Sequence, residues 1–528
     1  MKQTLLRSIL VVAVLAGVCA PLALGQKQAA TAATGVGVAQ SDGTRWIGKL
    51  PLDQNAPTNV ASGQKTALQT YVAFDDGAFA WEKKGEIAVK GVGTAHLIRL
   101  TSQRWRADGE TDHPLWKHWL LVALPEKPRS STATLIISGG RHRDAMPTDL
   151  PGELEMLLRV TGAPVIYLDN VPNQPLVLEG DGQSRIEDNI LARTWVLAMR
   201  DNDAAWIGQF PMTKAAVRAM DAADAFTREL ASGTSEGANG ATAKPLIDGY
   251  FVAGGSKRGW TTWLTAATGD ARVRAIAPTV IDMLNMPAHT PHHFASYGFW
   301  APALRDYVNN GIAEKFGTPA LNRVIAHVDP IGYVPAIGTM PTFLMHAGGD
   351  EFFPTDSARH YESILNGPGT EHRHIRVMPN VGHGLKGSQA WLEVMSFFLQ
   401  VREGKTVPSL SWSVSGNGGR SDEGTLTVTT SAKPLSVRLW RVENSSNRDF
   451  RIDQTGPTWQ PTVLEAADAS GLRYVAKLES PQKGWRASLV VATFDAGASS
   501  PTPLTISTRV FITPDTLPHA AEVPVPKP

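Results

Sequence analysis

The sequence predicts an α/β protein built on a mostly parallel sheet with a cap insertion, followed by an antiparallel β-sandwich. Three observations point there. Apolar strands alternate with helical stretches from Thr66 to Val401, the pattern of a parallel sheet with crossover helices. Inside that region a β-rich run, Gly249 to Ala253, meets Gly254-Gly255-Ser256 and passes into a helix-like stretch, Trp260 to Thr268. Beyond Thr406 the texture changes to short alternating segments separated by turn residues.

The N-terminus reads as a targeting segment, residues 1–25. Lys2 and Arg7 supply a basic start, Ile9 to Val18 a short apolar core, and Ala23-Leu24-Gly25 small residues for cleavage before Gln26. The only cysteine, Cys19, lies in this segment, so the mature chain holds no disulfide and depends on core burial. Residues 26–62, rich in Ala, Gln, Thr and Gly, read as a flexible linker in which Trp46-Ile47 docks locally. A net charge of +1 implies no nucleic-acid partner, and no later stretch is long and apolar enough for a stable membrane span.

The α/β region is expected over 63–403. Thr66 to Trp81 looks helical, and Thr94–Leu100 and Trp116–Leu124 alternate as antiparallel edge strands. Thr134–Ser138 is a buried strand running into Gly139-Gly140. A helix (152–161), a strand (164–168) and a proline-pinned loop (169–176) follow. Glu187–Met199 and Met212–Glu229 have helical periodicity, and Leu230–Lys244 reads as a surface loop before the Gly-Gly-Ser corner. Val273–Ile281 is a strand ending at Asp282. The stretch from about 283 to 335 breaks the alternation and reads as a cap. Pro341–Ala347 resumes the sheet and ends at Gly348-Gly349-Asp350. Ser357–Leu365 reads as a helix, and His374–Met378 as a last strand before Gly382-His383-Gly384 and a closing helix. The β-sandwich is expected over 404–514, including one segment from Thr505 to Ile512, with a disordered proline-rich tail at 515–528.

Strand, sharp turn and helix with a serine at the apex is the layout of a nucleophile elbow. Gly254 sits two before the serine; Arg258 occupies the position where glycine is usual, and Gly259 comes one residue late. The order Ser256, Asp350, His383, each just past an apolar strand, is that of an α/β-hydrolase. In acyl transfer, Ser256 would attack a carbonyl, His383 would shuttle the proton, and Asp350 would orient the imidazole. Asp282 and, more weakly, Glu351 are alternative acids. The Lys257 backbone N–H, with one from Gly139 or Gly140, would bind the oxyanion. Arg258 is a candidate for an anionic substrate group, or else pairs with an acid beneath the elbow. Trp260, Asp282, His292, His293 and Trp300 are further substrate-binding candidates. His289, His292 and His293 lack the accompanying carboxylate or cysteine of a metal site, and no cofactor is implied.

The segment Gly254–Trp263 resembles the signature of the PhoPQ-activated pathogenicity-related family. The likeness extends to Val171–Leu176, Ile281–Met286, Asp329–Tyr333, Gly349–Phe353 and Asn447–Arg451. It implies an exported α/β-hydrolase-like protein with a C-terminal β-sandwich, whose three residues carry over as Ser256, Asp350 and His383. The family name further implies control by a two-component system tied to virulence and to cationic-peptide resistance, which favours a peptide over an ester substrate. A narrower likeness, confined to the elbow, is to glucuronoyl esterases, which place arginine where Lys257 stands.

Overall fold

A computed structural model of the protein describes residues 37–52, 56–57, 64–233, 246–416 and 424–525. The expected signal peptide, part of the linker and most of the Leu230–Lys244 loop lie outside these residues. Among the described residues no helix is long and apolar enough to cross a membrane.

The α/β region is organised on one nine-stranded sheet. In chain order its strands are β1 (Ala80–Val89), β2 (Gly93–Arg104), β3 (Leu115–Pro125), β4 (Thr132–Ile137), β5 (Val165–Leu168), β6 (Gly249–Gly255), β7 (Val273–Thr279), β8 (Thr342–Ala347) and β9 (Arg373–Met378). Across the sheet they run β9-β8-β7-β6-β4-β5-β3-β2-β1. The pairings from β9 through β5 are parallel, and those from β5 to β1 antiparallel. The carboxyl ends of β6, β8 and β9 therefore share one edge, where ligands of open α/β sheets bind. Strand parity builds a core on each face: Leu120 and Val122 belong to one, Trp119 and Leu121 to the other.

Strand β1 corrects the sequence reading, which ran a helix from Thr66 to Trp81. The helix covers only Ala67–Ala73, closed at its start by a capping box between Thr66 and Gln69. Lys83-Lys84-Gly85-Glu86 then carries an edge strand with a bulge between Lys83 and Gly85. Charge and a bulge protect sheet edges, and they also erase the alternation by which a strand is read. The expected helix over Ser357–Leu365 is two short 3₁₀ turns, Ser357–His360 and Glu362–Ile364.

The helices that concern the site are α1 (Asp188–Asp201), α2 (Gln209–Gly233), α3 (Lys257–Ala267) and α4 (Met286–Tyr297). Helix α4 opens a run of short helices between β7 and β8. Helix α3 is wholly buried despite three threonines. Thr261, Thr262 and Thr265 each donate their hydroxyl to the carbonyl four residues back, so none of the three hydroxyls is stranded.

The C-terminal region forms separate antiparallel sheets. One is three-stranded, Leu410–Ser415, Gly424–Thr430 and Arg473–Leu478. The other is five-stranded, Ser436–Asn444, Gln460–Val463, Trp485–Phe494, Leu504–Ser507 and Phe511–Thr513. The single segment expected over Thr505–Ile512 is thus two strands. This region covers the open edge of the large sheet: the Val377 N–H of β9 donates to Ser507 Oγ at 2.9 Å. Residues 515–525, expected to be disordered, lie against α4. Asp515 accepts both guanidinium nitrogens of Arg359, and the His519 N–H donates to Ala295 O at 3.0 Å. Proline content gave no hint of these long-range partners.

Candidate active site

Ser256 ends β6 and starts α3 with φ 58° and ψ −128°. A non-glycine residue adopts that conformation only when its surroundings impose it. Two glycines allow strand and helix to approach closely enough to do so. A Cβ on Gly254 would meet Arg258 O at 2.7 Å, and one on Gly259 would meet Thr279 O at 2.7 Å. Gly259 arrives one residue late in sequence because it faces the neighbouring strand β7, while Arg258 turns its side chain elsewhere. The Ser256 N–H is anchored to Thr279 O at 2.8 Å.

Asp350 follows β8 and His383 follows β9, and the two meet. His383 Nδ1 lies 2.9 and 3.0 Å from the two Asp350 oxygens. A carboxylate only accepts, so Nδ1 carries the proton and Nε2 presents its lone pair. Nε2 is buried without a hydrogen-bond partner, and no hydrogen bond joins it to Ser256. The Phe352 ring, 4.3 Å from the imidazole between centroids, lines a cavity with Ser256; His383 packs on that ring and does not itself line the cavity. Burial opposes charge on His383, but the Asp350 carboxylate outweighs it and holds the imidazole above its ordinary value. Glu351 is no rival acid: its carboxylate accepts the backbone N–H of His383 and so fixes the loop.

The paired cations after Ser256 find their acids at the start of α1. Arg258 donates to both Glu187 oxygens at 2.7 Å and to Val171 O. Lys257 Nζ lies 2.8 Å from Glu187 and 3.1 Å from Asp188. Arg258 does not line the cavity; it takes the other expected role, with its donors used beneath the elbow and its guanidinium filling the space beside Gly139. Gly140 packs on the Asn170 backbone. Burial would raise the Glu187 carboxyl, but the two cations hold it well below the carboxylate range. Sequence reading missed Glu187 and Asp188. The available signal was that two adjacent cations at a buried elbow require two anions. Glu187→Ala is expected to destabilise the fold by roughly 2–3 kcal/mol, measured by urea unfolding. This is less than for a fully enclosed pair, since Glu187 is one-third exposed.

The remaining candidates separate into two groups. Trp260, His293 and Trp300 line the cavity with Ser256. Trp260 Nε1 donates to Val328 O, and His293 stacks on Trp300 at 5.5 Å. Asp282 and His292 do not line it. Asp282 is buried against Tyr361, with His346 at 4.0 Å, and burial pushes its carboxyl well up. His292 is turned to Asp356 at 3.0 Å. These residue types could have served a site, but the local sequence could not show which side of α4 meets the cavity and which meets the acid loop, residues 350–356 after β8.

A family model described as PhoPQ-activated pathogenicity-related protein matches residues 68–451. The chain belongs to this family. It is 31% identical over 482 residues to autocrine proliferation repressor protein A of Dictyostelium discoideum, covering 88% of this chain and 93% of that one. Among solved structures it is similar to acetyl xylan esterase 1 from Thermoanaerobacterium sp. JW/SL YS485, at 14% identity over 61% of this chain and 87% of that one, with TM-score 0.37. It is also similar to a glucuronoyl esterase from Solibacter usitatus, at 14% identity over 61% and 86%, with TM-score 0.35. The chain's own mixed, mostly parallel central sheet, with the strained Ser256 turn between β6 and α3 and separate antiparallel C-terminal sheets, is of the α/β-hydrolase type.

The family match runs into the C-terminal region and takes in Arg448 and Arg451, which explains the Asn447–Arg451 motif. Arg448 is fully buried between α4 and the acid loop, donating to Ser296 Oγ at 2.8 Å and Asp356 at 2.7 Å. Burial raises the Asp356 carboxyl, but Arg448 and His292 pull it well below its usual range. Ile452 donates its N–H to Gly349 O at 2.8 Å and would touch a Cβ on Gly382. Asn380 and Trp459 exchange two hydrogen bonds, at 3.1 and 2.7 Å. The C-terminal region thus holds the loops of both Asp350 and His383.

Proposed function

We propose that this family member is an exported serine hydrolase, transferring an acyl group from a peptide or ester to water. The Asp350–His383 pair carries the reading: a fixed tautomer and a buried Nε2 with no other partner, packed on the Phe352 ring that lines the Ser256 cavity. Ser256 Oγ attacks the carbonyl carbon as His383 Nε2 takes its proton. The tetrahedral oxyanion is met by the Lys257 N–H at the start of α3 and an N–H of the Gly139-Gly140 loop. His383 returns the proton to the leaving group. The acyl-enzyme is then hydrolysed by the same steps, with water as nucleophile. The hydroxyl and Nε2 close to hydrogen-bonding distance when substrate fills the cavity, a tightening common between free and bound enzymes. Lys2, Arg7 and the apolar stretch that follows support export to the periplasm or beyond, and the family's description supports a part in virulence.

The name of the Dictyostelium relative favours a second reading, a secreted signalling protein that keeps the fold without catalysis. A fluorophosphonate probe separates them. The hydrolase reading expects covalent labelling of the wild type, lost in Ser256→Ala. A folded wild type that takes no label favours the signalling reading.

A further inference from the structure

The cavity beside Ser256 has a composition that constrains what it takes. It offers about 80 Å³ of interior space, well above the roughly 10–15 Å³ that one water needs. Its walls are aromatic: Trp195, Trp260, Trp300, Tyr307, Phe316 and Phe352. Four ionisable groups besides Tyr307 reach it, and none offers a free charge. Lys257 and Asp188 are paired with each other. His289 is bonded to Ser357 Oγ at 2.9 Å, and burial holds it neutral. His293 is kept neutral by burial, which lowers it to about 3. Arg258, the cation that could have favoured an anion, is spent on Glu187 and Val171. A charged substrate group entering here would lose its hydration and meet no counter-ion.

His293 adds a second constraint. It is 1% exposed, lines the cavity, and neither ring nitrogen makes a hydrogen bond to the protein. The Phe352 backbone lies close enough to favour its protonation, but short of hydrogen-bond geometry. A buried imidazole with both nitrogens unpaired by protein is costly unless a water or a ligand group supplies the partner, and a ligand that displaces the water must replace its hydrogen bond.

Resting on Ser256 as nucleophile, we propose that the substrate carries an uncharged aromatic group beside its scissile carbonyl. That group enters this cavity and bears a neutral hydroxyl that hydrogen-bonds His293. The ring gains from apolar burial and from edge and face contacts with the tryptophans. His293 is then a specificity residue rather than a member of the proton relay.

Turnover and binding are measured separately. For wild type, kcat/KM for ethyl 3-phenylpropanoate or for phenethyl acetate, testing either side of the ester, should exceed that for ethyl acetate by about thirtyfold. Monoethyl succinate, which carries a carboxylate, should fall at least about tenfold below ethyl 3-phenylpropanoate. Ser256→Ala should bind 3-phenylpropanamide, and more tightly 3-(4-hydroxyphenyl)propanamide, read from the fluorescence of the lining tryptophans, but neither acetamide nor succinamate. His293→Phe should remove the gain from the hydroxyl and keep the gain from the ring. Ala313→Phe, which narrows the cavity, should bring the aromatic-to-acetyl ratio towards one. A wild type that takes the fluorophosphonate label but prefers ethyl acetate or monoethyl succinate to both aromatic esters overturns the proposal and leaves the hydrolase reading intact. Binding of the aromatic amides by Ser256→Ala, with no label and no turnover by wild type, supports the cavity assignment and rejects the hydrolase reading. A hydroxyphenyl amide bound no better than the phenyl one overturns the role of His293.

Discussion

Asp350→Asn is expected to lower kcat/KM by about four orders of magnitude while the protein stays folded. Asp350 accepts His383 Nδ1–H at 2.9 Å and also the Phe352 N–H at 2.8 Å. An asparagine there can turn its amide towards the ring, which flips the tautomer and puts the proton on the nitrogen that must accept one. The pH profile distinguishes this effect from simple misfolding. In the wild type, burial disfavours charge on His383 but Asp350 wins, so its pKa lies above the ordinary 6.5. His383 works as a base only when neutral, so activity falls as pH drops through that raised value. In Asp350→Asn the main raising partner is gone while burial and Lys257 still disfavour charge, with Glu351 the remaining opposing group, and the acid limb of residual activity moves to lower pH. The stability term has the opposite sense. Because the folded state holds the proton more tightly, the pair contributes stability below pH 6.5 that is lost as pH rises through the folded value. An unchanged acid limb would sink this account of the pair.

The second large effect lies outside the α/β region. Arg448→Ala should destabilise the protein by about 3–5 kcal/mol, because it leaves the Asp356 carboxylate enclosed with weaker partners. Asp356 is 1% exposed and the Arg448 side chain not exposed at all. His292 at 3.0 Å and Arg359 at 3.3 Å remain, and they set the lower end of that range. The measurement is the urea midpoint, with the slope checked for two-state behaviour. Activity should fall further than stability alone explains, because the same segment carries Ile452 onto Gly349 and Trp459 onto Asn380. An Arg448→Ala protein with wild-type kcat at a temperature where it is folded would show that the C-terminal region only covers the sheet edge.

Much of this was legible along the chain. The Gly254-Gly255-Ser256 corner announced a strained strand-to-helix turn, because few residue types tolerate such a close approach. The order of Asp350 and His383 after apolar strands put both on the carboxyl edge of the sheet. Arg258 was harder. Its partner Glu187 lies 71 residues away, and the same side chain could as well have faced substrate. The three histidines of α4 show the same limit. Their spacing gave no sign that His292 would meet Asp356 while His293 would meet the cavity.

The sequence by itself determined the fold class, the buried parallel strands and the three loops where the proposed chemistry sits. Those follow from local periodicity and from backbone restrictions that each residue carries with it. Only the tertiary structure decided which acid each cation meets, which histidine is left unpaired, and that the C-terminal sheets hold the Asp350 and His383 loops. Such pairings join positions far apart in the chain. Their energies depend on burial and counter-charge supplied by the whole fold, and neither is encoded in the immediate neighbours of the residues concerned.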